Sequence, residues 1–279
     1  MNPMTEPALS AAPVVPAYRA AQRVTLIRVV RSEWTKLRSL PSTLWLLLST
    51  FLLVAGGGLV SAIVQLSSLP HGAAAVAAFD PTQLSLSGVA LAELTAGALG
   101  VLIMTGEYAT GQIRLTLTAV PRRLPVLGGK IAALAAATLA ACTAATLAAF
   151  FITQAIMAPH HLSTTLGQPG VARAVFGSAL VLTGVALLGL GLGALLRNAA
   201  GAVSALFGVL YGLTIAAGFL PGNLSHEVRK YLPENSAANL TSVGHTAGSL
   251  GPWTGFGLFS LYTAVALGAS AWLLRRRDA

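Results

Sequence analysis

Charge is scarce in this chain: only 9% of its 279 residues are Asp, Glu, Lys or Arg, and the acids number eight. A water-soluble domain carries about a quarter charged residues, so a soluble globular class is disfavoured from the start. Cys142 is the only cysteine, which excludes disulfides within the chain and leaves no thiol cluster for a metal. Nucleotide chemistry lacks its loop. Gly128-Gly129-Lys130 has no upstream glycine at the P-loop spacing and is followed by Ile131 where Ser or Thr is required. His226-Glu227 has no second histidine four residues on, and His160-His161 has no acidic or cysteine companion, so zinc hydrolysis is disfavoured as well. No histidine lies in an apolar run where it could activate an intramembrane serine. These absences argue against an enzyme, with no catalytic residue and no metal ligand to name.

What is abundant is apolar length. Hydrophobic residues make up 55% of the chain, and mean hydropathy is +0.75. A helix needs about 20 apolar residues to cross a hydrocarbon core about 30 Å thick. Six runs meet that length, at about 42–65, 84–104, 131–157, 174–196, 201–220 and 254–274. They are continuous rather than alternating, which excludes a barrel and predicts an all-α polytopic protein with six transmembrane helices in one domain, 42–274. No internal repeat is visible.

The basic residues then set the orientation. The segment before the first run holds six Lys and Arg, the connection after the second four, the turn at Arg197 one and the C-terminal tail 275–279 three; the other side holds Arg173, Arg229 and Lys230, a split of 14 to 3. By the positive-inside rule both termini are expected in the cytoplasm. The net charge of +9 therefore belongs to topology and anionic lipid, and nucleic acid is not an expected partner. Residues 1–18, with Pro3, Pro7, Pro13 and Pro16 and no apolar core, are read as a disordered tail rather than a leader.

Two segments on the basic side have helical character. In 19–41, a helix from Val24 to Leu40 places Leu26, Ile27, Val30, Trp34 and Leu37 on one face and Thr25, Arg28, Ser32, Thr35 and Lys36 on the other, the pattern of an amphipathic interfacial helix. Arg31 and Arg38 flank the apolar face and can snorkel. The connection 105–130 far exceeds the two to eight residues that antiparallel helices need. Gly106 and Gly111 permit turns, Ile113 and Leu117 give a short helix one apolar face, Pro121 ends it, and Arg122, Arg123 and Lys130 are expected at the membrane surface.

In Arg31-Ser-Glu33-Trp34-Thr-Lys36-Leu-Arg38, in Gly106-Glu107-Tyr108-Ala-Thr-Gly111-Gln112-Ile113-Arg114 with Pro121-Arg-Arg123, and in Tyr231-Leu-Pro-Glu-Asn235 with Arg275-Arg-Arg277, the chain resembles the membrane subunits of type-two ABC exporters, especially high-GC Gram-positive permeases with a separate ATPase. The likeness runs from about residue 24 onward. It implies that the interfacial helix (Arg31, Glu33, Trp34, Lys36) and the loop after the second span dock on two copies of a soluble ABC ATPase. It places Glu107 at an acidic hinge with Tyr108 beside it, Gly111 at the turn, and Ile113, Arg114 and Leu117 on a coupling helix. Gln112 stands where threonine is frequent and Arg114 where relatives carry an acid. It also implies a second permease chain, identical or a close paralogue, a plasma-membrane location, and no cofactor in this chain, ATP and magnesium sitting on the partner.

Within the spans, Glu93 is the one acid at depth, where an ionised group is costly; it is expected to face a cavity, a partner helix or the dimer interface, or to be protonated, either as a polar contact on the translocation path or as a hydrogen bond between helices. Gly189 with Gly193, Gly208 with Gly212, and the alanines from Ala133 to Ala149 form four-residue stripes suited to close helix packing. Leu224, Val228, Tyr231 and Leu232 predict a short helix after Asn223 that Pro233 stops. The expected function is an ATP-driven permease, with an ion-driven secondary carrier or a non-transporting membrane anchor or sensor for an ATPase as the alternatives.

Overall fold

A computed structural model describes residues 25–67, 79–112, 123–244 and 248–276. The expected tail 1–18, the docking residues Ile113, Arg114 and Leu117, and Arg277 lie outside the described residues. Among those described there is no strand. The helices run α1 Leu26–Ser39, α2 Pro41–Leu66, α3 Pro81–Ser85, α4 Val89–Ala109, α5 Arg123–Met157 and α6 Val171–Leu196. They continue with α7 Ala199–Gly218, α8 Asn223–Arg229, α9 Pro233–Thr241 and α10 Pro252–Arg276. Six of them, α2, α4, α5, α6, α7 and α10, are long and apolar enough to cross a membrane.

Helix α6 is the axis of the bundle. It is the most enclosed of the six and packs against α4, α5 and α10, while α2 closes on α4 and α5. The α4–α6 contact is intimate because small residues meet there: a methyl group at Gly100 would stand 1.8 Å from the Ala186 carbonyl oxygen, and one at Gly189 2.3 Å from that of Gly97. The Gly189 and Gly193 stripe thus packs as its spacing predicts. The Gly208 and Gly212 stripe does not: among the described residues, a methyl group added at either glycine would meet no other helix within 4 Å. These two glycines bound a π-helical turn, Gly208–Gly212, in the middle of α7, where the Leu213 amide donates to the Gly208 carbonyl five residues back.

Large apolar side chains point outward along the spans, among them Leu44, Trp45, Leu52, Ile63, Phe151, Ile215 and Trp272. Such a surface suits hydrocarbon or another apolar helix. Several buried hydroxyls are satisfied locally: Thr105 donates to Val101 O at 3.0 Å, Thr138 to Leu134 O and Thr183 to Ala179 O, each at 2.8 Å.

Several boundaries differ from the hydropathy reading. The second span starts at Val89 rather than Leu84, because Asp80 caps the separate helix α3 by accepting from the Thr82 and Gln83 amides. Glu93 therefore lies in the first turns of α4, shallower than a start at Leu84 implies. Helix α5 begins at Arg123, two turns before the apolar run, so Lys130 is inside it. Pro233 starts a helix instead of only ending one: α9 is anchored by buried Ser236, Ala237 and Leu240 against α10 and α6. Arg173 ties α9 down, donating to Asn239 O at 2.9 Å and Ser242 O at 3.0 Å.

Candidate functional site

The end of the bundle that carries α1 is organised by charge. Helix α1 lies across α5, where the absence of a side chain at Gly129 lets Val29 approach: an added methyl would stand 2.7 Å from Val29 Cγ1. That approach buries Val29, Glu33 and Leu37, one helical stripe at four-residue spacing. This buried stripe takes only Leu37 from the apolar face predicted from sequence. Leu26, Ile27 and Trp34 are exposed, Ile27 by 80%, and are free to meet lipid.

Glu33 is drawn inward by two ammonium groups. Lys130 of α5 donates to Glu33 Oε2 at 2.7 Å, and Lys36, one turn along α1, donates to Glu33 Oε1 at 2.7 Å. Both lysines also reach Glu107 Oε1 near the end of α4, Lys130 at 2.6 Å and Lys36 at 3.0 Å. Two carboxylates and two ammoniums thus form a closed, electrically balanced quartet joining three helices. Glu33, Glu107 and Lys130 are 3, 6 and 2% exposed, so water screens these pairs little. Burial works against the charge of half-buried Lys36, but the hydrogen bonds and charges of Glu33 and Glu107 outweigh it and hold its ammonium above the ordinary lysine range. Lys130 was expected at the membrane surface; its place inside α5, facing two acids, puts it instead among the most buried polar residues.

The end of α4 makes a fourth attachment. The Arg197 guanidinium lies 5.0 Å above the Tyr108 ring. Arg197 ends α6 with a left-handed backbone, φ 54°, so the α6–α7 turn is held to the tip of α4. Immediately after Tyr108 the helix stops: the Thr110 amide returns to Gly106 O, and Gly111 takes φ +69°, a conformation that favours glycine. Gly111 is thus the turn that its spacing suggested. A cleft of about 210 Å³ opens beside the quartet, bounded by Leu37, Leu40, Leu102, Ile103 and Gln112. Of the residues expected to face an ATPase, Glu33, Lys36, Glu107, Tyr108 and Gly111 converge here. Arg31 and Trp34 lie exposed on other faces of α1.

Glu93 lies apart from this end. Tyr211 Oη is 2.8 Å from Glu93 Oε2 and 3.0 Å from Ala90 O, linking α4 to the π-helical turn of α7. Among the described residues no three His, Cys, Asp or Glu side chains are grouped to hold a metal ion.

Sequence reasoning missed Lys130 and Arg197 as functional candidates. The signal for both was a cation at the edge of an apolar run whose partner is distant in sequence, which spacing alone does not reveal. Comparison with known proteins adds to this geometry. No curated protein matches the chain significantly. A family profile described as ABC-2 family transporter protein matches residues 29–279, from the first turns of α1 through every span and the C-terminus, and the chain belongs to that family.

Proposed function

We propose that this chain is the permease subunit of an ATP-driven exporter, coupled to a separate soluble ABC ATPase through residues 105–130. One observation supports the reading above others: Glu107 and Tyr108, at the mouth of that connection, are bound to α1, α5 and the α6–α7 turn at once. A displacement applied to the loop therefore reaches three other elements without first bending a soft linker. Two ATPase copies, holding ATP and magnesium, close on nucleotide and push the loops of two permease chains, identical or paralogous. The bundles then rock about α6 and open a path to the opposite side. Both termini are cytoplasmic in this arrangement, the membrane is the plasma membrane, and the permease itself catalyses nothing.

The test is co-reconstitution of the chain with its cognate soluble ABC ATPase. Vanadate-sensitive hydrolysis should rise when the permease is present, and Ile113→Asp with Leu117→Asp should abolish the rise. Unchanged hydrolysis, or reporter fusions placing residues 105–130 outside the cell, would overturn the proposal. Transport that collapses with uncouplers and ignores vanadate would point to an ion-driven carrier instead.

A further inference from the structure

At the end of the bundle opposite the charge quartet, α8 and α9 connect the spans α7 and α10 and flank a cleft of about 500 Å³. Ser225, His226, Arg229 and Lys230 line it from α8 and the residue that ends it. Asn235 and Asn239, four residues apart on one face of α9, line it from the other side. Two of these side chains are permanent cations, and no acid lines the cleft. Leu224 and Val228 fall on the opposite face of α8, away from the cleft. Leu224 is exposed, as are Phe219, Tyr231 and Trp253 close by in the chain. Apolar side chains mixed with Trp and Tyr suit the boundary between hydrocarbon and headgroups, so the cleft opens at headgroup depth.

Cations are rare at this end of the molecule. Arg173, Arg229 and Lys230 are the only three Lys or Arg that the sequence places there, against 14 on the other side, and all three gather round this one cleft. Arg173 reaches it from α6, behind α9, with its guanidinium on the carbonyl of Asn239. Lys230 is shared with Glu227, which does not line the cleft. The Arg229 side chain has no ion pair or hydrogen bond among the described residues, and the Ser225 hydroxyl donates to none of them. A lone exposed guanidinium would be an ordinary solvated charge. Here it stands in a concave site where every charge is of one sign, and such a site focuses its field on an anion. We infer that this cleft binds a phosphate group, carried by an anionic lipid headgroup or free in solution. Arg229 grips two of its oxygens, with Lys230, His226 and Ser225 around it. The flanking apolar side chains offer acyl chains a surface, so the headgroup is the expected source. The site stands without the permease reading, and no ATPase enters its test.

The full chain in a neutral detergent is titrated calorimetrically with short-chain phosphatidylglycerol, with phosphatidylcholine of the same chain length, and with inorganic phosphate. Phosphatidylglycerol should bind at least about tenfold tighter than phosphatidylcholine, and inorganic phosphate should compete with it. Arg229→Gln should weaken phosphatidylglycerol by roughly 10- to 100-fold, the worth of a charged contact to phosphate, and Arg229→Lys should recover part of the loss. Ser225→Ala removes one donor and no charge, and should weaken binding by about two- to tenfold. Arg275→Gln, at the other end of the bundle, should change nothing. Because Arg229 is exposed, Arg229→Gln should keep the parent melting midpoint; if it does not, Ser225→Ala carries the test. Inorganic phosphate bound through Arg229 with no binding of phosphatidylglycerol would uphold the site and assign it to the free anion. Equal affinity for the two lipids without phosphate binding would overturn it. So would equal losses in Arg229→Gln and Arg275→Gln, which would mean attraction to the charge of the whole chain, or full affinity in both Arg229→Gln and Ser225→Ala.

Discussion

Lys130 Nζ stands 2.6 Å from Glu107 Oε1, and the two residues close a ring through Glu33 and Lys36 that leaves no net charge. Both belong to helices that cross the membrane, while their shared partners belong to one that does not. Replacing Lys130 by Met removes a buried cation and leaves two buried acids with Lys36 alone. Breaking a buried pair from one side costs about 3 kcal/mol or more. Chemical denaturation in nanodiscs should report a loss of that size. Adding Glu33→Gln to Lys130→Met should cost much less than the two singles summed, because the second change removes the stranded charge. Strict additivity would mean that the ring is not formed.

Lys36 gives the same ring a pH limit. Its folded-state value is raised above 10.5, so the folded state holds this proton more tightly than the unfolded chain does. The stability it contributes is complete below pH 10.5 and is lost as pH rises through the folded value. Amide exchange in α1 should therefore accelerate on the alkaline side of that limit. Lys36→Met should accelerate it already at neutral pH and flatten the alkaline rise.

Tyr108 separates coupling from stability. A cation over an aromatic face is worth about 0.5–1 kcal/mol where solvent reaches it, too little to decide whether the bundle folds. The Arg197 contact nevertheless joins the α4 tip to the α6–α7 turn. Tyr108→Leu should leave the melting midpoint nearly unchanged while lowering permease-stimulated ATP hydrolysis, and Tyr108→Phe should restore it. Full stimulation in Tyr108→Leu would remove that turn from the coupling route.

The parts of this molecule that were legible in its sequence are those where one residue decides its own environment. Twenty apolar residues in a row settle where a span is, whatever they pack against, and Gly111 ends a helix at a backbone angle that glycine adopts without strain. The charge ring was not legible, because Lys130 in isolation looks like any cation near a membrane surface. Its burial depends on two acids 97 and 23 residues away. The same holds for α1. Its apolar stripe of Leu26, Ile27 and Trp34 is real, but the face turned to the protein is set by Gly129 and Lys130 of another helix. For Glu93 the cost of an acid in an apolar run was legible and its partner was not, since Tyr211 lies 118 residues on, in a turn whose π geometry no local pattern announces.

Gly129 offers the sharpest separation of α1 docking from everything else, because its neighbour provides a control. A methyl at Gly129 would meet Val29 Cγ1 at 2.7 Å with the backbone of Val29 and Val30 close behind, whereas one at Gly128 would meet only Leu26 Cδ1 at 4.0 Å. Both glycines lie in the same stretch of α5, so the helix-propensity gain on replacing glycine, about 1 kcal/mol for Ala and about half that for Val, favours both variants. Gly128→Ala should be neutral or stabilising. Gly129→Val overfills the contact, at a cost of about 1–3 kcal/mol, and lifts α1 away from Lys130. A disulfide pair built between α1 and α5, say Val30→Cys with Val126→Cys, should then form more slowly in Gly129→Val than in Gly128→Ala. ATPase stimulation should fall in step with it. Equal cross-linking in the two variants would show that α1 does not need this close approach, and the charge ring would have to be holding it unaided.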